Sequence, residues 1–187
     1  KGLRQAVITG KIVPILVGSA LQNTGVGLLL DTIVRYLPSP KERGVAIVGE
    51  AGKLETAEPV QDAPLAALVF KTTADPYVGK LTYFRIYRGI IESNSSVWNS
   101  TRGEPERIGQ LYLIRGKTQE PIPQVRAGDI GAVAKLSLTN SGDTLCTHDK
   151  PVKLAPIIFP KPSFSEAISP KTKLDLDKLS SALTRLV

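Results

Sequence analysis

The sequence predicts a mixed fold: an all-β barrel in the centre, flanked on each side by a piece of α/β or α+β character. Three observations predict it. Residues 65–89, LAALVFKTTADPYVGKLTYFRIYRG, place two β-rich runs around a short turn carrying Asp75, Pro76 and Gly79. Short β-capable runs then recur as far as residue 155, separated by Gly, Pro and Asn. Such spacing indicates a closed barrel, which leaves no exposed strand edge. Outside this region the period changes to that of helices.

The expected organisation is residues 1–38 as the end of one domain, 39–62 as a linker, 63–155 as the barrel and 156–187 as the start of a third domain. In the first segment Leu3 to Thr9 is a short helical stretch. The run 11–17, KIVPILV, is a buried strand, with Pro14 best placed at an edge or an early position. Gly18, Ser19 and Ala20 follow at its carboxyl end, Asn23 to Gly25 make a turn, and Thr24 is positioned to cap the next helix. That helix covers 26–37, where Leu29, Leu30, Ile33, Val34 and Leu37 recur at helical spacing. Pro38 and Pro40 stop it.

The linker contains a Gly/Glu/Ala-rich run and one β-capable piece, Val45 to Val48, free to pair with either neighbour. In the barrel, Leu65 to Phe70 is almost wholly apolar, as for a strand buried on both faces. Residues 81–88 alternate: Leu81, Tyr83, Arg85 and Tyr87 on one face, Thr82, Phe84, Ile86 and Arg88 on the other. Further strands are expected at 95–99, 107–114, 124–126, 130–136 and 142–146. Beyond the stiff Phe159-Pro160-Lys161-Pro162 connector, 163–169 can form a strand. Residues 173–187 are helical, with Leu176, Leu179, Leu183 and Leu186 on one stripe. A unit of this size cannot bury its own core, so the sequence reads as a fragment of a larger protein.

At 187 residues with 42% hydrophobic and 22% charged side chains, the composition is that of a soluble globular protein. No apolar run is long enough for a membrane span and no signal-peptide pattern opens the chain. One cysteine excludes an internal disulfide, and one histidine beside it makes a structural zinc site untenable. These features favour a cytoplasmic protein. The net charge is +7. Residues 1–38, 64–155 and 156–187 are each net basic, whereas 39–62 is net acidic. Such an excess either solubilises the surface or meets a phosphate backbone.

Catalytic constellations are scarce. None of the Gly-Lys pairs at 10, 52, 79 and 116 has the glycine five residues upstream that a phosphate loop requires. Neither G-x-G-x-x-G nor a nucleophile elbow occurs. Cys146 and His148 read as a packed strand cysteine beside an exposed turn histidine, rather than as nucleophile and base. Asp175 and Asp177 read as solvated charges. The remaining candidate is Gly18-Ser19-Ala20 with Asn23 and Gly25, either a plain strand-to-helix turn or the place where open α/β sheets bind ligands.

Five segments carry a resemblance to a known family. KIVPILVGSALQNTGVGLLLDTIVRYLPSP resembles the end of the GTP-binding domain of elongation factor G. VFKTTADPYVGKLTYFRIYRGIIESNSSVWNSTRGEPERIGQL resembles the start of that family's second domain, which AGDIGAVAKL and SGDTLC close. FPKPSFSEAISPKTKLDLDKLSSALTRL resembles the start of its third domain. The resemblance covers nearly the whole chain in the family's order.

It implies a translation-factor barrel, between the last strand and helix of a GTPase domain and the first β-α unit of an α+β domain. It further implies a translational GTPase acting on the ribosome, through ribosomal RNA and small-subunit protein, as a cytoplasmic monomer without membrane contact. GTP with Mg2+ would bind the intact parent, not this fragment. Ser19 and Ala20, with Leu21 adjoining, match the motif that supports the guanine base. The phosphate loop, switches and base-selecting Asn-Lys-x-Asp motif would lie before Lys1, so this piece is expected to dock and couple domains without hydrolysing GTP. One departure stands out: where the family usually has His-Ala-Asn followed by Arg and acids, this chain has Arg115-Gly116-Lys117-Thr118-Gln119-Glu120-Pro121. That leaves open a translocase or a paralogous recycling or protection factor. Arg115 and Lys117 either reach RNA phosphate or are simply solvated. A non-catalytic ribosome-binding module and a purely structural barrel are the competing readings.

Overall fold

Two ten-residue strands, β3 (Ala66–Asp75) and β4 (Gly79–Arg88), pair antiparallel as the longest hairpin of the chain. The computed structural model describes residues 2–42, 45–48, 54–75 and 79–186. The connection at 76–78, with the turn residue Pro76 and with Tyr77, expected to pack, lies outside them. The chain forms two compact units, Lys1–Arg43 and Gly44–Val187.

The hairpin follows the alternation of its sequence. On β4 Thr82, Phe84 and Ile86 are fully buried, whereas Tyr83, Arg85 and Tyr87 are only partly covered. Opposite, Ala67 and Val69 are buried toward the same interior. A bulge between Val69 and Lys71 leaves Phe70 unpaired and turns its ring outward toward Tyr83.

Around this hairpin lie β5 (Ile90–Glu92), β6 (Ser96–Asn99), β7 (Glu104–Arg107), β8 (Leu111–Arg115), β9 (Thr118–Ile122), β10 (Gln124–Arg126), β11 (Ile130–Ala134) and β12 (Thr144–Cys146). Eight strands form one antiparallel sheet in the order β7-β6-β12-β3-β4-β11-β8-β9, and β5 with β10 makes a separate ribbon. A single apolar cluster draws side chains from β3, β4, β5, β6, β8, β10, β11 and β12, among them Val69, Phe84, Ile91, Leu111, Val125 and Leu145. Strands far apart in the sheet order share one interior, so the sheet curls into the barrel-like form the sequence predicts.

A second, three-stranded sheet is built from β1 (Val45–Val48), β2 (Leu54–Ala57) and β13 (Lys153–Leu154) in the order β13-β1-β2. Ile47 and Leu154 join Ala66, Cys146 and Val152 in a second cluster on the outer side of β3 and β12. The apolar run from Leu65 therefore has cover on both faces, as its composition requires. Within 39–62, expected to be a linker, the described residues include a short 3-10 turn and both β1 and β2. Val45 to Val48 pairs as anticipated, whereas β2 is hidden in an acidic, polar segment.

Several other expectations are corrected. The run 11–17 is not a strand: Val13, Ile15 and Val17 are 78%, 89% and 93% exposed, because no strand pairs with them among the described residues. Residues 163–169 lack strand structure for the same reason, and Phe164 and Ile168 are exposed. Helix α2 (Val26–Tyr36) is capped by Gly25 without a side-chain hydrogen bond, so Thr24 is not its cap. The expected strand at 107–114 is interrupted at 108–110, which separates β7 from β8. Helix α1 (Gly2–Ile8) forms close to the expected stretch, and α3 (Leu176–Leu186) carries the leucine stripe after a 3-10 turn at Lys173–Asp175.

In the first unit Arg4 of α1 joins three pieces of chain. Its Nε donates to the carbonyl of Arg35 in the last turn of α2 at 3.1 Å, and its Nη2 donates to both Glu42 oxygens at 2.7 and 2.8 Å. The Ser39 backbone N–H also donates to Glu42, and together with Arg4 it holds the Glu42 carboxyl below the usual glutamate range.

Candidate functional site

Ser19, Ala20 and Leu21 form the head of a tight turn. Ser19 and Thr24 exchange backbone hydrogen bonds of 2.9 and 3.0 Å as an isolated antiparallel bridge. Asn23 N–H donates to the Ala20 carbonyl, and Gln22 N–H donates to Ser19 Oγ at 3.3 Å. Of the amides from Ser19 to Thr24, those of Ala20 and Leu21 have no acceptor among the described residues. The turn closes this tightly because residue 18 lacks a side chain: a Cβ there would lie 2.7 Å from the Thr24 carbonyl oxygen. Asn23, at φ 54, takes the left-handed conformation that its short polar side chain tolerates. The Leu21 side chain is 99% exposed. The turn thus offers two adjacent free N–H groups beside an exposed apolar side chain, which suits a planar heterocycle carrying a carbonyl oxygen.

Arg115 and Lys117 lie on the β8–β9 hairpin. Arg115 pairs with Thr118, so Gly116 and Lys117 are the two turn residues. Gly116 has φ 60 and Lys117 does not share it, the arrangement of a two-residue turn with glycine first. Arg115 is ion-paired with Glu120 on the facing strand, so much of its charge is answered locally. Lys117 is exposed at the tip without a carboxylate partner among the described residues. The hairpin brings the two cations together, but only Lys117 has its charge open to a ligand.

Cys146 is buried in the second apolar cluster. His148 is exposed, packs edge-on against Trp98 at 4.6 Å between ring centroids, and faces Asp149 at 3.1 Å. The two are a packed thiol and a surface imidazole. Asp175 accepts from Thr172 Oγ1 at 2.7 Å and faces Lys178 at 3.7 Å.

The structure also assembles polar groups that no sequence motif marks. Glu106 is 5% exposed, and its carboxylate accepts from the N–H groups of Ser137, Leu138 and Thr139 and from Thr139 Oγ1, all within 2.9–3.1 Å. Asp143, also buried, accepts from Asn99 Nδ2, Arg102 Nε and the Asn140 N–H at 3.0–3.1 Å. Lys80 Nζ donates to the Thr139 carbonyl and to Asn140 Oδ1. These contacts fasten the 137–143 loop across the end of the barrel. Beside it a groove of about 490 Å³ is lined by Arg107, Gln110, Tyr112, Lys135 and Ser137 together with Glu106. No group of side chains among the described residues has the composition of a metal site.

Residues 64–148, which span the barrel, match the family model for elongation factor G domain 2. A crystal structure from Thermus thermophilus is similar over 98% of this chain and 26% of its own, with 29% sequence identity and a TM-score of 0.76. The chain therefore spans about a quarter of the length of that solved protein, and the likeness extends past the barrel to both of its flanks. The barrel at 64–148 is thus similar to domain 2 of elongation factor G, and the two matches together support a fragment of an elongation-factor-G-like factor.

Proposed function

We propose that this chain is part of a ribosome-associated translation elongation GTPase that drives the movement of tRNA and mRNA. In this reading residues 63–155 dock on the small ribosomal subunit, through ribosomal RNA and protein, and residues 1–38 and 156–187 couple that docking to the neighbouring domains. The family match over 64–148 is the observation that carries it. The protein acts in the cytoplasm as a monomer. No helix among the described residues is long and apolar enough to cross a membrane, and this accords with that location.

GTP with Mg2+ is the cofactor of the intact factor. The free N–H groups of Ala20 and Leu21 fit the carbonyl oxygen of guanine, Ser19 holds the turn in shape, and the exposed Leu21 side chain lies beside the base. The nucleotide supplies a phosphoanhydride whose hydrolysis requires groups that residues 1–187 do not bear. Binding energy at the base is thus the contribution of this turn, while a change of nucleotide state shifts the population of docked orientations.

A second reading, a paralogous recycling or protection factor, is favoured by the 115–121 hairpin, where an internal Arg115–Glu120 pair replaces the family's usual loop chemistry. Co-sedimentation of the purified chain with small ribosomal subunits over a salt series tests the docking. Binding that weakens steeply with salt is expected, and a chain that stays in the supernatant at low salt overturns the reading. GTP turnover by residues 1–187 with ribosomes would contradict the division of labour.

A further inference from the structure

We infer that the groove between β7, β8 and the end of β11 is a binding site for single-stranded RNA, holding phosphates on Arg107 and Lys135 and a nucleobase on Tyr112. The inference rests on the reading of the chain as a ribosome-docking piece and places the contact at a position other than Arg115 and Lys117.

Charge is the first argument. Arg107 and Lys135 line the groove, both are exposed, and neither has a carboxylate partner among the described residues. The one carboxylate in the lining, Glu106, is satisfied by four donors of the 137–139 segment. The groove is therefore cationic, unlike the hairpin, where Arg115 is held by Glu120.

The second argument is the aromatic surface beside it. Cross-strand register aligns Tyr112, Ala132 and Tyr83 on the outer face of β8, β11 and β4, and Phe70 continues the row, its ring 6.3 Å from that of Tyr83. Arg85 lies over the Tyr87 ring at 5.5 Å on the same face. Half-exposed aromatic rings on a sheet, next to unpaired cations, are the arrangement that stacks bases and tracks a phosphate backbone.

Two further features fit a ligand. Gln110 uses its Nε2 on the carbonyls of Leu111 and Ile122, which leaves Oε1 without a donor among the described residues. That oxygen can accept from a base amino group or a ribose 2′-hydroxyl. Lys135 has φ 62, a conformation that costs a non-glycine residue energy and that clusters at binding sites. Its backbone N–H is tied to the Lys80 carbonyl at 2.8 Å, so the strained residue is held in place at the groove.

The test measures binding of the full chain to a short fluorescein-labelled oligouridylate by anisotropy, in parallel with sedimentation on small ribosomal subunits. The double substitution Arg107→Gln with Lys135→Asn keeps polarity, and asparagine tolerates the positive φ. It is expected to weaken oligouridylate binding about tenfold and to lower the salt slope by about 1.4, as for two phosphates lost from a single strand. Tyr112→Leu is expected to weaken binding about tenfold with the salt slope unchanged. Lys117→Ala should change binding less than about twofold. An oligouridylate that does not bind the parent chain, or that binds the double variant equally well, overturns the groove while small-subunit sedimentation still decides the docking reading by itself. Equal thermal melting of parent and variants confirms that folding is not what changed.

Discussion

The ion pair of Arg4 and Glu42 does more than its exposure suggests, because each partner also satisfies backbone. Arg4 answers a carbonyl at the end of α2, where carbonyls lack helical partners. Glu42 answers the N–H of Ser39, the largest cause of its lowered carboxyl pKa, with Arg4 second. A carboxyl lowered in the folded state stabilises above its ordinary value, here 4.5, and that contribution is lost as pH falls through the lowered value. An NMR titration should place the Glu42 midpoint below 4.5, with Arg4 side-chain signals moving in the same step. Glu42→Gln should abolish that step, and a midpoint at or above the ordinary value would show the contact absent in solution. Buried Glu106 makes a stronger demand. Its removal leaves three backbone N–H groups without acceptors, and burial makes such losses costly. Glu106→Ala should lower unfolding stability by about 3 kcal/mol, read as a shift in the urea midpoint. Glu106→Gln, which keeps an acceptor oxygen, should cost less.

At the scale of elements, what could be read in advance depended on what holds each strand in place. β3 and β4 were legible because side chains hold them: Phe84 and Val69 face the interior, and the alternation of β4 shows it. β9 has the sequence TQEPI and β7 has EPER, and neither carries an apolar pattern. Each is a sheet edge held chiefly by backbone pairing to one neighbour, and each contains a proline, Pro121 and Pro105, which discourages a further strand from joining. The converse error is the run 11–17, which has no partner strand among the described residues and leaves Val13, Ile15 and Val17 exposed. The turn at Ser19 to Leu21 was legible because its residues are contiguous. The groove was not, since Arg107 of β7, Tyr112 of β8 and Lys135 just past β11 are far apart in sequence and meet only in the folded barrel. The β8–β9 turn offers a clean test of backbone conformation. Gly116 has φ 60, and a Cβ there would meet nothing within 4 Å. Gly116→Ala should therefore destabilise through backbone strain alone, by about 1–2 kcal/mol. Thermal denaturation measures it, and an unchanged midpoint would refute the turn geometry.

Across the whole molecule, burial is distributed very unevenly between the two units. Among the described residues, the side chains under a tenth exposed belong to residues from Ile47 onward, and neither α1 nor α2 has a buried residue. Leu28, Leu30 and Val34 of α2 are 60%, 57% and 84% exposed although the helix is amphipathic. A helix of eleven residues is marginal in water without a packed apolar face, so the first unit rests mainly on local hydrogen bonds and the Arg4 contacts. The barrel instead closes one apolar interior from eight strands, and its amides should open only with global unfolding. Amide hydrogen exchange on this chain should therefore show two classes: rapid exchange through residues 2–42, and strong protection in β3, β4, β11 and β12. Phe84→Ala, which empties the centre of the interior at a cost of about 3–5 kcal/mol, should speed exchange throughout those four strands while leaving residues 2–42 as they were. Acceleration confined to β4 would mean that the barrel does not unfold as one cooperative body. A matching acceleration in residues 2–42 would mean that the two units share their stability, which the separate distribution of buried side chains argues against.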